Sequence, residues 1–546
     1  MASNNELNTA LYSAAGALRS KMDANEYKNY LLGIVFYKYL SDSMLYEISD
    51  LVGDGRENTT LEEAQKLYEQ YEKDPDDAEE LEELNEELRN TFSYTIPSKY
   101  TCTKILEHIN DHSFQIVELA DAFKEIEGSV QDKDGKNPFD GLFDDVDLYS
   151  RRLGDSAQKQ TDTISSVLNA IGKIDLVKLP GDSLGDAYEF LISRFASDSG
   201  KKAGEFYTPQ QVSELLTRLT LINKDYSDGM TVYDPAMGSA SLLLQFRNFV
   251  KNKDEIIYYG QEINTSTYNL ARMNMILHHV DIANQRLKNG DTLDADWPPT
   301  MKNNFDAVVM NPPYSIPWSA TKGFLDDPRF SKYGVLAPKS KADYAFLLHG
   351  YYHLKSTGTM AIVLPHGILF RGAREGKIRQ KLLEDGSIDA VIGLPANLFF
   401  STSIPTVVVV LKKDKQDRNV MFIDASKEFE KQKNQNILRD EDIGKILDTY
   451  KKREDVDKYA HLATFDEIKE NDYNLNIPRY VDTFEPEPPV DLGKLTKEME
   501  ETQKEIEKTQ SELLGMMKEL TSKDEKTQND LNEFIKMLEN EVRRNG

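Results

Sequence analysis

The chain has 546 residues, with 93 Asp and Glu against 66 Lys and Arg, and a formal net charge of −27 at pH 7. Its length predicts about three to four domains, and its charge excludes a surface that attracts nucleic acid as a whole, so a nucleic-acid role needs a local basic cleft or a basic partner chain. The single cysteine, Cys102, excludes an internal disulfide, and the lack of a CxxC pair or an HExxH helix indicates no structural zinc. Neither a signal segment nor an apolar run of about 18 residues is found, so we expect a cytoplasmic protein without membrane contact.

Residues 1–165 are predicted to form an N-terminal helical domain. The segment NEYKNYLLGIVFYKYLSDSM places apolar side chains on one broad helical face, namely Leu31, Leu32, Val35, Phe36 and Tyr39. Residues 54–87, which include DPDDAEELEELNEEL, are strongly acidic. This composition favours a solvated helix or a mobile insertion; a nucleic-acid mimic or a docking site for a basic partner is the alternative.

Residues 166–484 are predicted to form a doubly wound, Rossmann-like α/β domain. Short apolar runs rich in β-formers alternate with helix-like segments such as SLLLQFRNFV and YAFLLHGYYHL. The runs are TVYD (231–234), EIIYYGQEI (255–263), FDAVVM (305–310), TMAIVLP (359–365), IDAVIGLP (388–395) and TVVVVL (406–411). Continuous apolar runs between helices are typical of a parallel sheet that is covered on both faces.

Residues 485–546 are predicted to be a linker, EPEPPV, followed by highly charged helices. One set of positions recurs there in alternating steps of four and three: Leu495, Met499, Thr502, Ile506, Thr509, Leu513, Met516 and Leu520. A seam with this spacing needs a partner helix. That partner lies either on another chain or on this chain's own helix at 531–542.

A turn after the first strand is the first candidate ligand site, because ligands of open α/β sheets bind beyond the carboxyl ends of the strands. The segment TVYDPAMGSASLL leaves the strand through Asp234 and turns at Gly238, where small residues such as Ser239 let a ligand approach the backbone. Ala240 stands where a second glycine is expected, and the segment matches neither G-x-G-x-x-G nor G-x-x-x-x-G-K-[ST]. This argues against a dinucleotide enzyme or an NTPase; an ordinary tight turn is the alternative.

Two acidic residues extend this candidate site. Glu262 in GQEIN follows the Gly238 turn at close to the interval of about 20 residues at which an acid meets ribose hydroxyls in nucleoside-binding α/β folds. Asp291 in NGDTL can accept a hydrogen bond from an adenine amino group, although such a residue alone is more often part of a turn. In series with Gly238, the two favour a nucleoside ligand.

The run FDAVVM ends on NPPY, residues 311–314. Proline fixes φ and has no N–H, so the bend exposes two acceptors, the side-chain carbonyl of Asn311 and the backbone carbonyl of Pro312. Two convergent acceptors suit a planar NH2 group, and Tyr314 can stack on the ring that carries it. The chemistry that fits is methyl transfer from a sulfonium cofactor to an amide-like or exocyclic nitrogen; a proline-rich turn without function is the alternative.

In their order, GEFYTP (204–209), DPAMGSAS (234–241), GQEIN (260–264), NGDTL (289–293) and NPPY resemble the S-adenosylmethionine-dependent amino-methyltransferases of DNA. Three longer segments are similar to the modification (methyltransferase) subunit of type I restriction-modification systems, an N6-adenine DNA methyltransferase family: MDANEYKNYLLGIVFYKYLSD, LGDAYEFLISRFASDSGKKAGEFYTP and LPHGILFRG. The similarity covers about residues 7 to 480.

The resemblance implies S-adenosyl-L-methionine as cofactor and assigns roles to residues that match the family's motifs. For the cofactor it implies that Phe206, Thr208 and Pro209 contact the methionine part, Glu262 the ribose and Asp291 the adenine. Asp234, Gly238 and Ser239 would line the turn on which the cofactor lies, called the bed below. Asn311, Pro312 and Tyr314 would bind a flipped target adenine, with Phe399 or Phe400 on its other face. Ala240 departs from the glycine common in many methyltransferases, which puts cofactor affinity in question.

The resemblance also implies partners: a DNA specificity subunit, a second copy of the modification subunit, a restriction and translocation subunit, and double-stranded DNA. The terminal seam would pair with helical spacers of the specificity subunit. Arg371, Arg374, Lys377 and Arg379 are candidates for DNA-backbone contact or a solvated helix face. Alternatives are methylation of cytosine N4 or of a protein glutamine, and a catalytically silent scaffold.

Overall fold

The computed structural model describes residues 4–73, 78–129, 137–178, 183–199, 207–294, 297–298, 304–399, 402–433, 435–483 and 491–545. The chain divides into two compact units, Met1–Asp482 and Thr483–Gly546. In the part of the chain that is described, none of the helices combines the length and apolarity needed to cross a membrane. The boundary predicted near residue 165 stays a prediction.

The first part of the larger unit is helical, as predicted. Its helices are α1 (Asn4–Arg19), α2 (Ala24–Val52), α3 (Leu61–Lys73), α4 (Ala78–Phe92), α5 (Cys102–Asn110), α6 (Ile116–Gly128), α7 (Ala157–Gly172) and α8 (Ser183–Ser199). The long helix α2 is buried over most of its length, and its Lys38 and Asp42 form an ion pair of 2.6 Å with almost no exposed surface. Such a pair is stable only while both partners are present.

The acidic stretch forms two amphipathic helices, α3 and α4. Ala64 and Tyr68 of α3 and Leu84 and Leu88 of α4 are buried, and both helices contact α2. Their glutamates lie mostly on the outer faces. A solvated helix or a mobile insertion was expected here; the described residues form helices whose outer faces are solvated and whose inner faces pack on the core.

A nine-stranded sheet, within the described ranges, forms the rest of this unit, with strand order β11-β8-β6-β7-β5-β4-β1-β2-β3. The strands are β1 (Met230–Asp234), β2 (Ile256–Glu262), β3 (Gln285–Asn289), β4 (Phe305–Met310), β5 (Leu354–Pro365), β6 (Ile388–Gly393), β7 (Thr406–Lys412), β8 (Val420–Asp424) and β11 (Ala460–Ala463), with β9 (Glu430–Lys431) and β10 (Asn436–Ile437) pairing separately. The helices are α9 (Gln210–Leu221), α10 (Ser241–Leu244), α11 (Thr265–Leu277), α12 (Asp343–His353), α13 (Ala373–Glu384), α14 (Asp440–Lys452) and α15 (Phe465–Glu470). Apolar clusters cover both faces, which confirms the α/β fold.

The prediction of a parallel sheet was wrong for β7, and β11, a strand that was not predicted, is also antiparallel to its neighbour. β7 runs antiparallel to both β5 and β6, and β11 runs antiparallel to β8. A parallel neighbour requires a long crossover, and the described residues between β6 and β7 contain no helix. Strand β7 is nonetheless buried along its length, which explains why its apolar run reads like that of a parallel strand.

The helical part and the sheet part share one hydrophobic core. Leu270, Met273 and Leu277 of α11 belong to the same buried cluster as α1, α2 and α8, and so does Tyr207. Polar bonds cross the same boundary, for example from Asn269 Nδ2 to the carbonyl of Gly141 at 2.9 Å. One face of α11 thus rests on the helices while its other face contacts β2 and β3.

The second unit contains α16 (Leu492–Glu519) and α17 (Glu525–Asn545), which contact each other. Lys518, near the end of α16, forms an ion pair of 2.5 Å with Glu539 in the second half of α17. The end of α16 therefore lies beside the second half of α17 and not beside its first turn. No described side chain of α16 is buried, and the seam residues Met499 and Ile506 are 65% and 44% exposed. All eight positions of the predicted seam are exposed, so the contact with α17 leaves that seam uncovered.

Candidate active site

Four adjacent strands bring the predicted site residues to one edge of the sheet. In the order β4-β1-β2-β3 all neighbours are parallel, so their carboxyl ends meet. Asp234 ends β1, Glu262 ends β2, and Asn311 follows the last residue of β4. Side chains far apart in sequence thus share one site, as expected for an open α/β sheet.

The Gly238 turn is tied directly to Glu262. Gly238 has a φ of 55°, a conformation that glycine adopts without steric cost, and its N–H donates to Glu262 Oε2 at 3.2 Å. The other carboxylate oxygen accepts from the N–H of Asn264 at 2.8 Å. The carboxylate of Glu262, which is 8% exposed, is therefore fixed in orientation beside the turn.

Asp234 stabilises the start of the same turn by a hydrogen bond to its backbone. Its carboxylate is 1% exposed and Oδ1 accepts from the N–H of Ala236 at 2.9 Å. Burial raises the pKa of Asp234 to about 8, and the nearby negative charge of Glu262 acts in the same direction while the bond from Ala236 opposes it. Burial thus favours the neutral, protonated form of Asp234.

Ala240 adopts a left-handed conformation with a φ of 66°. This explains why glycine is expected there, since an L side chain in this region costs about 1–2 kcal/mol. The preceding Ser239 is buried; its hydroxyl lies 2.7 Å from that of Ser241, and its carbonyl accepts from Asn274 Nδ2 of α11 at 2.9 Å. The surrounding packing therefore holds the strained turn in place.

Asp291 lies beside these residues with an exposed carboxylate. The N–H of the preceding residue, Gly290, donates to the carbonyl of Glu262 at 2.9 Å, and Asp291 Oδ1 accepts from the N–H of Leu293 at 2.9 Å. Asp291 can therefore both stabilise the turn and accept from a ligand, because its Oδ2 is left for another donor.

The NPPY turn is linked to the segment before α9. Asn311 Nδ2 donates to the hydroxyl of Thr208 at 3.1 Å, which fixes the amide so that Oδ1 faces the other way. That oxygen accepts from the hydroxyl of Tyr314 at 2.5 Å. Pro312 and Pro209 are buried, and Pro209 immediately precedes the first residue of α9.

The aromatic side chains at the turn do not stack face to face. Phe399 is buried, and its ring lies edge-on to that of Tyr314, with centroids 6.3 Å apart and planes at 86°. Burial, and then the charge of Asp343, raise the pKa of Tyr314, so its hydroxyl stays protonated. Phe206 and Phe400, the other predicted aromatic contacts, lie outside the described residues.

A buried network behind the turn was not predicted. Asp343, the first residue of α12, accepts from Ser315 and from Arg371. Arg379 is 4% exposed and donates to the backbone carbonyl of Arg371, which contradicts both a DNA-backbone contact and a solvated position for Arg379. For Arg371, Arg374 and Lys377 the two alternatives stay predictions. Charged residues before and inside a helix carry no sequence signal that separates a solvated face from such a network.

Comparison with known proteins places two family descriptions on the chain: N-6 DNA Methylase on residues 180–488 and HsdM N-terminal domain on residues 7–171. The type I restriction enzyme MpnII methylase subunit of Mycoplasma pneumoniae is 37% identical over 91% of this chain and 93% of its own length. The MjaVIII methylase subunit of Methanocaldococcus jannaschii is 29% identical over 95% of this chain and 85% of its own.

A solved structure is also similar. The type I restriction-modification system methyltransferase subunit from Streptococcus thermophilus superposes with a TM-score of 0.84 at 56% identity, covering 88% of this chain and 100% of that one.

Proposed function

Since the chain belongs to the N-6 DNA methylase family of type I restriction enzyme methylase subunits, we propose that it transfers a methyl group from S-adenosyl-L-methionine to the N6 amine of adenine in DNA. The observation that carries the proposal is the pair of bonds around Asn311. They join the NPPY turn to Thr208, in the segment assigned to the cofactor, and to Tyr314.

The residues around Gly238 fit this cofactor. Glu262 is oriented by two backbone N–H groups and can accept from both ribose hydroxyls, and Asp291 offers an exposed acceptor for the adenine. Phe206, Thr208 and Pro209 would contact the methionine part, and Asp234 and Ser239 would support the bed. When bound, the cofactor supplies a methyl group on a sulfonium sulfur. The rest of the cofactor is released as a neutral thioether when the methyl group is transferred.

Asn311 Oδ1 and the Pro312 carbonyl would accept the two hydrogens of the target amine. Holding both hydrogens aims the nitrogen lone pair at the methyl carbon. No strong base is required, because the amine releases its proton to solvent after the C–N bond has formed. The Tyr314 ring would stack on the flipped base, with Phe399 or Phe400 on its other side. The Tyr314 hydroxyl, now on Asn311 Oδ1, must release or share that oxygen.

Partners follow from the family and from the charge. A chain with a net charge of −27 needs a second protein to neutralise DNA phosphates, and we propose a DNA specificity subunit bound with two copies of this chain in the cytoplasm. A restriction and translocation subunit would join them. The exposed seam of α16, with Met499 and Ile506 uncovered, is proposed to pair with helices of the specificity subunit.

The domain division proposed for this function is a helical domain at 1–165, a methyltransferase domain at 166–484 and partner-binding helices at 485–546. The test uses the full chain with its specificity subunit, methyl-labelled S-adenosylmethionine and DNA, followed by identification of the labelled nucleoside. We expect N6-methyladenine, formed only with both chains present. Label in N4-methylcytosine, in protein, or nowhere would contradict the proposal.

An Asn311→Ala variant tests the site itself. The side chain of Asn311 reaches the proposed cofactor residues through Thr208, whereas Glu262 and the Gly238 turn are held by bonds of their own. The variant should therefore still bind cofactor and assemble, while methyl transfer falls by at least about 100-fold, as for loss of a preorganised polar contact. Unchanged transfer would overturn the role of Asn311.

A further inference from the structure

The residue that follows the NPPY turn is held in an uncommon conformation. Ser315 has a φ of 54°, a region that serine rarely adopts unless its surroundings impose it. Its backbone N–H donates to Asp343 Oδ1 at 2.7 Å, and its hydroxyl lies 3.3 Å from Asp343 Oδ2. Both carboxylate oxygens of Asp343 thus bind Ser315, the residue at the end of the turn.

Asp343 is fully buried, and Arg371 supplies its counter-charge. Arg371 Nη1 donates to Asp343 Oδ2 at 2.8 Å and to Glu375 Oε1 at 3.1 Å. Taking one partner away from a buried ion pair leaves an uncompensated charge. The position of Asp343, and with it that of Ser315, therefore depends on the arginine.

Arg371 is in turn held by the side chain of Arg379 and by the close approach of Gly367. Arg379 Nη1 donates to the carbonyls of Arg371 and Ile368 at 2.9 Å and 3.0 Å. The guanidinium of Arg371 also lies against Gly367, where a methyl group in place of the hydrogen would overlap Nε and Nη2. Only glycine leaves room for this placement.

We propose that Asp343 and Arg371 are positioning residues for methyl transfer, which set the orientation of Asn311 and Tyr314 through Ser315. The inference rests on the proposed function and extends it to residues outside the binding site. Neither residue acts on the base or the cofactor directly. Their effect is on the geometry of the NPPY turn, where a displacement of about 1 Å can cost about 100-fold in rate.

Two variants of the full chain, each assembled with its specificity subunit, test the proposal. Arg371→Met removes the counter-charge, and Gly367→Ala keeps every charge but displaces the guanidinium from Asp343. Both should lower kcat by at least about tenfold. The dissociation constant for S-adenosylmethionine and the KM for DNA should stay within about threefold of wild type, because the cofactor bed lies on other strand ends.

Asp389→Asn is the matched control. Asp389 of β6 is also a buried carboxylate, paired with Arg453 at 2.9 Å and Lys412 at 3.1 Å, and it contacts no residue of the NPPY turn among the contacts described. The control should lose thermal stability but keep kcat. It separates a loss of fold stability from a loss of turn geometry.

The outcomes are distinct. A kcat for Arg371→Met and Gly367→Ala that equals that of the control would overturn the proposal, and so would a parallel loss of cofactor binding. Absence of methyl transfer to DNA by the wild-type complex would instead overturn the proposed function on which the inference rests.

Discussion

Tyr314 offers the sharpest test of the proposed contacts with the target base, because separate roles are proposed for its ring and its hydroxyl. The hydroxyl donates to Asn311 Oδ1 at 2.5 Å, the oxygen that is proposed to accept from the base amine. A hydrogen bond of this kind has a net worth of about 0.5–1.5 kcal/mol, whereas stacking of a base on an aromatic ring is worth about 1–3 kcal/mol. At 1.4 kcal/mol per factor of ten, these correspond to about 2- to 10-fold and about 5- to 150-fold.

Tyr314→Phe should therefore keep kcat/KM for methyl transfer within about tenfold of wild type, with an unchanged or lower KM for DNA. The Thr208 bond still orients the amide of Asn311. Tyr314→Ala should lose about 5- to 150-fold. The assay is transfer of labelled methyl to DNA by the complex under steady-state conditions. Equal losses in both variants would refute the reasoning, since they would assign the role to the hydroxyl and not to the ring.

Three further outcomes are expected. Thr208→Val should reduce kcat by about 2- to 10-fold, because it removes the hydroxyl that accepts from Asn311; a matching rise in the KM for DNA alone would contradict this. The pKa of Asp234 is raised to about 8, so the folded state binds more protons than the unfolded state between about pH 4 and 8. In that range, Asp234 lowers the free energy of unfolding by at most about 1.4 kcal/mol for each unit by which pH rises. Asp234→Asn should remove that slope in denaturant titrations, and an unchanged slope would count against it. Lys38→Met should lower the free energy of unfolding by about 3–5 kcal/mol, because it leaves Asp42 buried without its cation, and adding Asp42→Leu should restore most of it; a single variant as stable as wild type would argue against the buried pair.

The sequence was sufficient where a residue type and its position at a strand end imply a single local geometry. FDAVVM matched β4 without error, and Gly238 and Glu262 lie together as their spacing predicted. Even the departure at Ala240 had a physical meaning, since that position proves to be left-handed.

Sequence alone failed where long-range packing decides. The polar edge strand β3 and the short β11 lack an apolar run, because they are only partly buried. The antiparallel course of β7 depends on a connection without a helix, which its own buried residues do not encode. Asp343 and Arg371 lie 28 positions apart and meet through the fold, so no local pattern marks them as partners.

The core that joins α11 to the N-terminal helices has a consequence for how the molecule can be divided. Helix α11 begins three residues after Glu262, and its Leu270, Met273 and Leu277 are covered by the N-terminal part of the chain. A fragment that starts near residue 180 would carry every residue assigned to the cofactor and to the base. It would keep the packing of α8 on α11 but lose that of α2, so part of an apolar helix face would be exposed to water, a surface that promotes aggregation. Helices α1 and α2 therefore belong to the same interior as α11, and a division of the chain near residue 180 would cut through that interior.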